Sequence, residues 1–439
     1  MSSYFHPGQV IPLPQLGETM TIVRPISAGA QGEVHEVLLS QGTRLVLKWY
    51  KPEYAEIDPD LANRLQRRID QGPPNATNFA WPLHILRLNG VPSFGYLMRY
   101  AGPPYIDLRG YLSNAALAMS FRTLARAGYH LATAFGQLHL LGLCYHDISY
   151  GNVLVDPNSG DIIICDNDNV DVNGQPGAIG GSPLFKAPEL VRREALPTAQ
   201  TDLHALAVLL FFMLMVSDPL EGRAAARWGA LNSPEAQMRI YGTDPIFIWD
   251  PADERNRPTP GLDDNAIAYW PIYPKFLQDL FITAFTTGLT HPDTGRVTES
   301  VWRMAMLRLH DSVFQCSACG KENFADDAVP AKPCWACRQM LARPPRLRGW
   351  SHSVVLVAGT RIAPHHIDIK QRYNFNQVVA EVVAKNGDPT RLGIRNMSPC
   401  SWSTTLKDGS SLIVHPERTL GIVPGTFVNF GAGQGEIVG

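Results

Sequence analysis

Three oxygen-bearing side chains stand at fixed offsets around short apolar runs: Asp147 and Asn152 in YHDISYGNVLV (145–155), then Asp166 directly after IIIC (162–165). Carboxylate and amide oxygens are hard donors suited to Mg2+ or Mn2+, ions that accompany phosphate groups. A carboxylate beside them can take the proton of an attacking hydroxyl. The expectation is a site where Asp147, Asn152 and Asp166 hold a nucleotide's phosphates, their metal ions and an acceptor hydroxyl. A second constellation is Cys316, Cys319, Cys334 and Cys337, two Cys-x-x-Cys pairs in CSAC…CWAC. Four thiolates at this spacing suit a closed, structural Zn2+ site, and two redox dithiols are the rival reading.

The elements around these residues change character along the chain. MTIVRPI, EVHEVLL and RLVLKWY, joined by SAGAQG and SQGT, predict an antiparallel meander over 20–50. A helix is expected over 57–72, with Asp58 or Asp60 at its cap and Gly72 as its stop, and VPSFGYLMRYA (91–101) reads as a hairpin strand. Residues 121–142 repeat apolar side chains at helical spacing, and ALAVLLFFMLMV (205–216) is a buried helix too short to cross a bilayer. The rest of 201–310 reads as mostly helical, apart from a Pro- and Asp-rich stretch at 241–265. RPPRLRGW (343–350) is a stiff basic linker, and SVVLVAGTRI, SLIVHP and GTFVNFG predict a small β-rich end.

The chain has 439 residues, 45% of them hydrophobic, enough for several domains. With 38 basic and 40 acidic side chains, no long-range field points to nucleic acid or an anionic membrane. The N-terminal residues lack a basic segment followed by an apolar run, and the paired cysteines suit metal in a reducing compartment, so a cytoplasmic location is expected.

Taken together, residues 20–310 resemble the Hanks-type Ser/Thr protein kinase fold, including its bacterial members. SAGAQGEV (27–34) resembles the glycine-rich loop over ATP, with Ser27 at the first glycine position, Gly29 and Gly32 at the next two, and Val34 over adenine. The resemblance makes Lys48 the lysine that meets the α- and β-phosphates. It makes Asp147 the catalytic aspartate, and Asn152 and Asp166 the Mg2+ (or Mn2+) ligands. Met98 would be the gatekeeper, Arg99, Tyr100 and Ala101 the adenine hinge, and Cys165 the pocket floor. GSPLFKAPE (181–189) is similar to the end of the activation segment, with Ser182 near the acceptor. Asp202 corresponds to the acid capping the central helix, and Arg296 to the partner of Glu189.

The pattern is broken in places. Tyr145-His146-Asp147 lacks the arginine that anchors a phosphorylated activation loop, Ser149 replaces the catalytic-loop lysine, and the metal-binding triplet is Asp166-Asn167-Asp168. The helix expected to give Lys48 a glutamate offers Gln66, with Asp70 and Glu56 as outlying alternatives.

The resulting expectation is an α+β chain: a bilobal protein-kinase fold with a β-rich N-lobe (1–102) and an α-rich C-lobe (103–311), a zinc ribbon (312–342) and a small all-β module (343–439). It implies an ATP- and Mg2+-dependent Ser/Thr protein kinase acting on a protein substrate in bacterial signalling; a nucleotide-binding pseudokinase scaffold is the alternative. The domain order is similar to kinases of tellurite-resistance-associated triads, which implies a PPM-type phosphatase and a von Willebrand A protein as partners. Neither nucleic acid nor membrane is expected.

Overall fold

The computed structural model describes residues 3–114, 118–175, 181–228, 231–326, 328, 332–385 and 388–439, which include every candidate site residue named above. The chain divides into two compact units: residues 1–119, 126–267 and 280–303 form one, and residues 120–125, 268–279 and 304–439 the other. Among the described residues no helix is long and apolar enough to cross a membrane.

The first unit opens with strands β1 (Val10–Leu13), β2 (Glu18–Ala28), β3 (Gly32–Leu39), β4 (Arg44–Tyr50), β5 (Pro82–Leu86) and β6 (Gly95–Arg99). They form one antiparallel sheet in the order β1-β2-β3-β4-β6-β5, so the expected meander is present. Side chains of a strand alternate between faces. In β4, Leu45, Leu47 and Trp49 join Leu13, Met20, Ile22 and Val37 in one core, while Val46 and Tyr50 join Tyr96, Met98, Leu61 and Leu65 in another. The same alternation puts Lys48 on the face of Val46 and Tyr50, where it is buried.

The helix expected over 57–72 is two helices, α1 (Pro52–Ile57) and α2 (Leu61–Gln71). Pro59 lies in the break, and a residue before proline disfavours helical backbone. Asp60 occupies the cap of α2 without a side-chain capping bond; Gly72 ends the helix at φ +74°. Helix α3 (Leu108–Ser113) precedes α4 (Phe121–Leu140), the expected long helix. Four short strands follow α4: β7 (Leu143–Tyr145), β8 (Val153–Val155), β9 (Ile162–Ile164) and β10 (Val170–Val172). Strands β8 and β9 pair antiparallel, as do β7 and β10. Helix α5 (Ala199–Met215) is apolar on nearly all sides and correspondingly buried. Its cap is Thr198, which exchanges bonds with Thr201, rather than Asp202, whose carboxylate is used elsewhere. In 241–265 the backbone is held by buried Asn256, whose amide donates to the carbonyls of Leu220 and Ile246.

In the second unit an antiparallel hairpin, β11 (Val313–Gln315) with β12 (Glu322–Phe324), carries the first cysteine pair. Carboxylate oxygen Oε2 of Glu322 accepts the backbone N–H groups of Phe121, at 2.5 Å, and Arg122, at 3.3 Å, the opening residues of α4. The described residues of 343–439 form a six-stranded and a four-stranded sheet around Leu347, Ile394, Trp402, Leu420 and Ile437, with helical interruptions at Pro364–Ile367 and Ile369–Gln371. Buried Asp311 accepts from His352 at 2.7 Å and His366 at 3.3 Å, and His310 lies 2.9 Å from its other oxygen.

Candidate active site and metal centre

Strand β7 delivers Tyr145 to the start of the Asp147 loop, and two bonds fix it there. Asp202 Oδ2 accepts the Tyr145 N–H at 2.8 Å, and the Tyr145 hydroxyl donates to Asn167 Oδ1 at 2.9 Å. Asp202 also meets His139 Nε2 at 3.0 Å, and His139 Nδ1 contacts Glu299. Burial alone would lower the His139 pKa, but the two carboxylates outweigh it and bring it to about 9. His139 is therefore a buried cation linking α4 to α5.

Beyond Asp147 the backbone turns so that Asn152 Nδ2 donates to the Asp147 carbonyl at 3.3 Å. Ser149, the residue in the lysine position, donates to Asn152 Oδ1 at 3.2 Å. The Cys165 N–H donates to the Asn152 carbonyl at 2.8 Å, which sets Asn152 beside Asp166. Asp166 adopts φ +55°, a left-handed conformation uncommon outside glycine, and its carboxylate is about one-third exposed at 34%. Asn152 and Asp166 thus present amide and carboxylate oxygens on adjacent backbone segments, a donor set that fits Mg2+ or Mn2+.

Lys48 Nζ donates to Asp168 Oδ2 at 2.8 Å, to Gln31 Oε1 at 2.9 Å and to Asp166 Oδ1 at 3.4 Å. Burial alone would depress the Lys48 pKa; Asp168 and then Asp166 reverse this and hold it above the ordinary lysine value. Burial would likewise raise Asp168, but Lys48, with a 2.5 Å bond from the Tyr50 hydroxyl, holds it below the usual carboxylate range.

The expected helix partner of Lys48 is corrected here. Gln66 is exposed and bonds Asp70 at 2.8 Å, and Glu56 is also exposed. In their place Asp168, in the triplet's last position, supplies the carboxylate. Its signal in the sequence was an extra acid where the family pattern has glycine. Gln31, from the glycine-rich loop, was also missed, because an amide in a turn carries no distinctive signal.

The adenine candidates converge. Met98, Val34, Tyr100, Ala101 and Cys165 belong to one apolar cluster with Leu154, in which Val34, Ala101 and Cys165 are only partly buried. These partly buried apolar side chains between the sheet and β8–β9 have the chemistry of a lining for a flat heteroaromatic base. Ser27 and Val34 face each other at the root of the β2–β3 turn, and Gly29 donates to the Gly32 carbonyl at 2.9 Å. A Cβ on Gly32 would lie 2.0 Å from the Trp49 carbonyl oxygen, whereas one on Gly29 would meet open space. Gly32 is thus required by packing, and Gly29 keeps the loop tip open. Arg99 lies outside this cluster and donates to the carbonyls of Ala76 and Thr77.

Asp147 shares a small cavity with Ser182, Phe185, Lys186 and Thr201. Burial raises its pKa, and Lys186 is the strongest opposing influence. A Cβ on Gly181 would come within 2.0 Å of Asp147 Oδ1. The anticipated Glu189 and Arg296 pair is formed at 2.8 Å.

The four cysteines form the other centre. Their Sγ atoms all lie within 4.8 Å of one another, with Cys316 and Cys337, and Cys319 and Cys334, each 3.7 Å apart. Tetrahedral Zn–S bonds of about 2.3 Å give edges of about 3.8 Å, so the cluster fits Zn2+. Each pair sits on a turn closed by backbone bonds, Cys316 N–H to Lys321 and Cys334 N–H to Gln339. Burial would raise Cys334, but N–H donors of Cys337, Asn323 and Ala336 bring its pKa to about 6, whereas the neighbouring cysteine thiols help to raise Cys319.

Comparison with known proteins bears on the same region. Residues 104–259 match the family model of the protein kinase domain. The chain is 31% identical over 121 residues to the protein kinase MCK1 of Saccharomyces cerevisiae, covering 27% of this chain and 32% of that protein. It is 32% identical over 111 residues to the serine/threonine-protein kinase Sgk1 of Xenopus tropicalis, covering 24% of this chain and 26% of that one. The mouse Sgk1 match has the same identity and length, with 25% of that protein covered. The chain thus spans about a third or less of these relatives. The matched stretch is the one that holds Asp147, Asn152 and Asp166, and over residues 104–259 this chain is similar to a protein kinase domain.

Proposed function

We propose that the chain is an ATP-dependent protein kinase that transfers the γ-phosphoryl group to Ser or Thr hydroxyls of a protein substrate. The observation that supports this most is one continuous chain of contacts: Lys48 to Asp166, Cys165 to Asn152, and Asn152 to Asp147. It joins a phosphate cation, two metal ligands and a proton acceptor.

Magnesium bound there would neutralise the phosphate oxygens as the terminal P–O bond breaks. Asn152 and Asp166 would hold it, and Lys48 would meet the α- and β-phosphates. Asp147 would orient the acceptor hydroxyl and take its proton as oxygen attacks the γ-phosphorus and ADP leaves. Val34, Met98, Tyr100 and Ala101 would enclose adenine, with Cys165 beneath. The four-cysteine cluster is assigned Zn2+ in a structural role, since four thiolates leave no open position. The ribbon (312–342) and β module (343–439) would recruit partners in bacterial signalling, a PPM-type phosphatase and a von Willebrand A protein among them, in the cytoplasm.

The test is incubation with labelled ATP and Mg2+, comparing wild type with Asp147→Asn and Asp166→Asn. Label on the chain or on a generic Ser/Thr substrate, lost in both variants, is the expected result. Nucleotide binding without transfer in the wild type would favour the pseudokinase scaffold, a reading that Ser149 in the lysine position keeps in view.

A further inference from the structure

We propose that Asp168 is the residue that positions Lys48 for the nucleotide's phosphates, and that this positioning is independent of helix α2. The inference rests on the kinase reading and adds a residue to it. Related kinases are expected to take the lysine's partner from the helix, so that a shift of the helix withdraws the partner. Here the partner belongs to the segment that carries Asp166.

Four observations carry this. Lys48 reaches Asp168 at 2.8 Å, closer than its 3.4 Å contact with Asp166, and both Lys48 and Asp168 are buried. Tyr50, two residues along β4 and on the same face, donates to the same Asp168 oxygen at 2.5 Å. Strand and triplet are therefore joined twice. Asn167 between them is fully buried and held by three bonds: its amide donates to the carbonyls of Ala80 (3.0 Å) and Ile164 (2.9 Å), and its Oδ1 accepts from Tyr145. Turning the triplet would break all three, so Asp168 is presented by a fastened segment.

Helix α2 is occupied differently. Its Arg68 pairs with Asp171 at 3.1 Å and its Arg64 with Asp171 at 3.3 Å and Asp58 at 2.6 Å. The helix contributes cations to the segment, with no carboxylate toward Lys48. A buried ammonium needs a paired anion, because an uncompensated charge in the interior is strongly destabilising. Asp168 supplies that anion before any nucleotide arrives, which leaves Lys48 charged and oriented for phosphate.

The test measures equilibrium MgATP affinity alongside phosphoryl transfer, so that a failure of the kinase reading leaves the affinity arm intact. Asp168→Asn is expected to weaken MgATP affinity at least tenfold and to raise KM by a similar factor. In a Lys48→Met background the same substitution should add less than twofold, since its effect runs through Lys48. Tyr50→Phe should cost less than threefold. Wild-type affinity in Asp168→Asn, or an undiminished loss in the Lys48→Met background, would overturn the proposal. If Asp168→Asn does not fold, Gln66→Glu decides: unchanged affinity supports Asp168 as the partner, and a gain of threefold or more would return the role to the helix.

Discussion

Gly181 packs its backbone against the Asp147 carboxylate so closely that one methyl group there would lie 2.0 Å from Oδ1. The glycine has φ +88°, so a side chain would meet both a carboxylate and an unfavourable backbone region. Gly181→Ala is expected to cut phosphoryl transfer at least a hundredfold while lowering stability by about 1–3 kcal/mol. Transfer rates and thermal melts of the same preparation check this. An active Gly181→Ala would mean that Asp147 is free to move.

Among the described residues that line the Asp147 cavity, Lys186 is the one Lys or Arg, and Arg109 nearby stacks on the Tyr150 ring at 5.1 Å. Lys186 opposes the burial that raises Asp147. Lys186→Met should therefore raise the Asp147 pKa further and move the acid limb of the pH–rate profile to higher pH. The maximal rate should fall roughly a hundredfold, the low end of the range for loss of one charge-stabilising group. Ser149→Lys in the same background should recover part of it. A profile unmoved by Lys186→Met contradicts the assignment.

His139 has a folded-state pKa of about 9, above its ordinary value of 6.5. The stability it contributes is complete below pH 6.5 and is lost as pH rises through 9. The shift corresponds to about 3 kcal/mol. Denaturant titrations at pH 6 and pH 10 should show a loss of this order in the wild type and a much flatter response in His139→Phe. Equal slopes in both would place the proton elsewhere.

The cysteine cluster predicts stoichiometric zinc in protein purified without chelator, and its loss in Cys334→Ser. Metal analysis reads this directly. Chelation should also lower the melting temperature, because a structural zinc site contributes folding free energy. Metal-free protein in which the four cluster thiols react in addition to exposed Cys400, with an unchanged melt, would favour the dithiol reading.

The parts legible in the sequence were those fixed by local rules. Alternation in RLVLKWY placed Lys48 on one face of its strand; the offsets among Asp147, Asn152 and Asp166 followed from short paired strands; and Glu189 met Arg296 as anticipated. What escaped depended on contacts between distant segments. Nothing in LANRLQRRID says that Arg64 and Arg68 turn to Asp171 while Gln66 faces water, because a helix states its stripe but not its neighbour. Asp168 looked like a lost glycine until β4 brought Lys48 and Tyr50 to it. Asp202 was expected at a helix cap, yet Thr198 takes that place and frees the acid for Tyr145 and His139.

The bond from Glu322 to the first N–H groups of helix α4 fixes where the chain can be cut. A fragment ending at Asp311 keeps every catalytic candidate but begins α4 with two backbone donors stripped of their acceptor, at a cost of about 1 kcal/mol. It also deprives the Lys275 N–H of Asp326, its acceptor at 2.8 Å. The boundary suggested by composition thus runs through a hydrogen-bonded seam. A fragment carried through Leu341, past the last cysteine of the cluster, retains both acceptors but divides the second unit and strips buried Asp311 of His352 and His366, so the whole chain is the piece to express when the segment carrying Asp147, Asn152 and Asp166 is to be assayed.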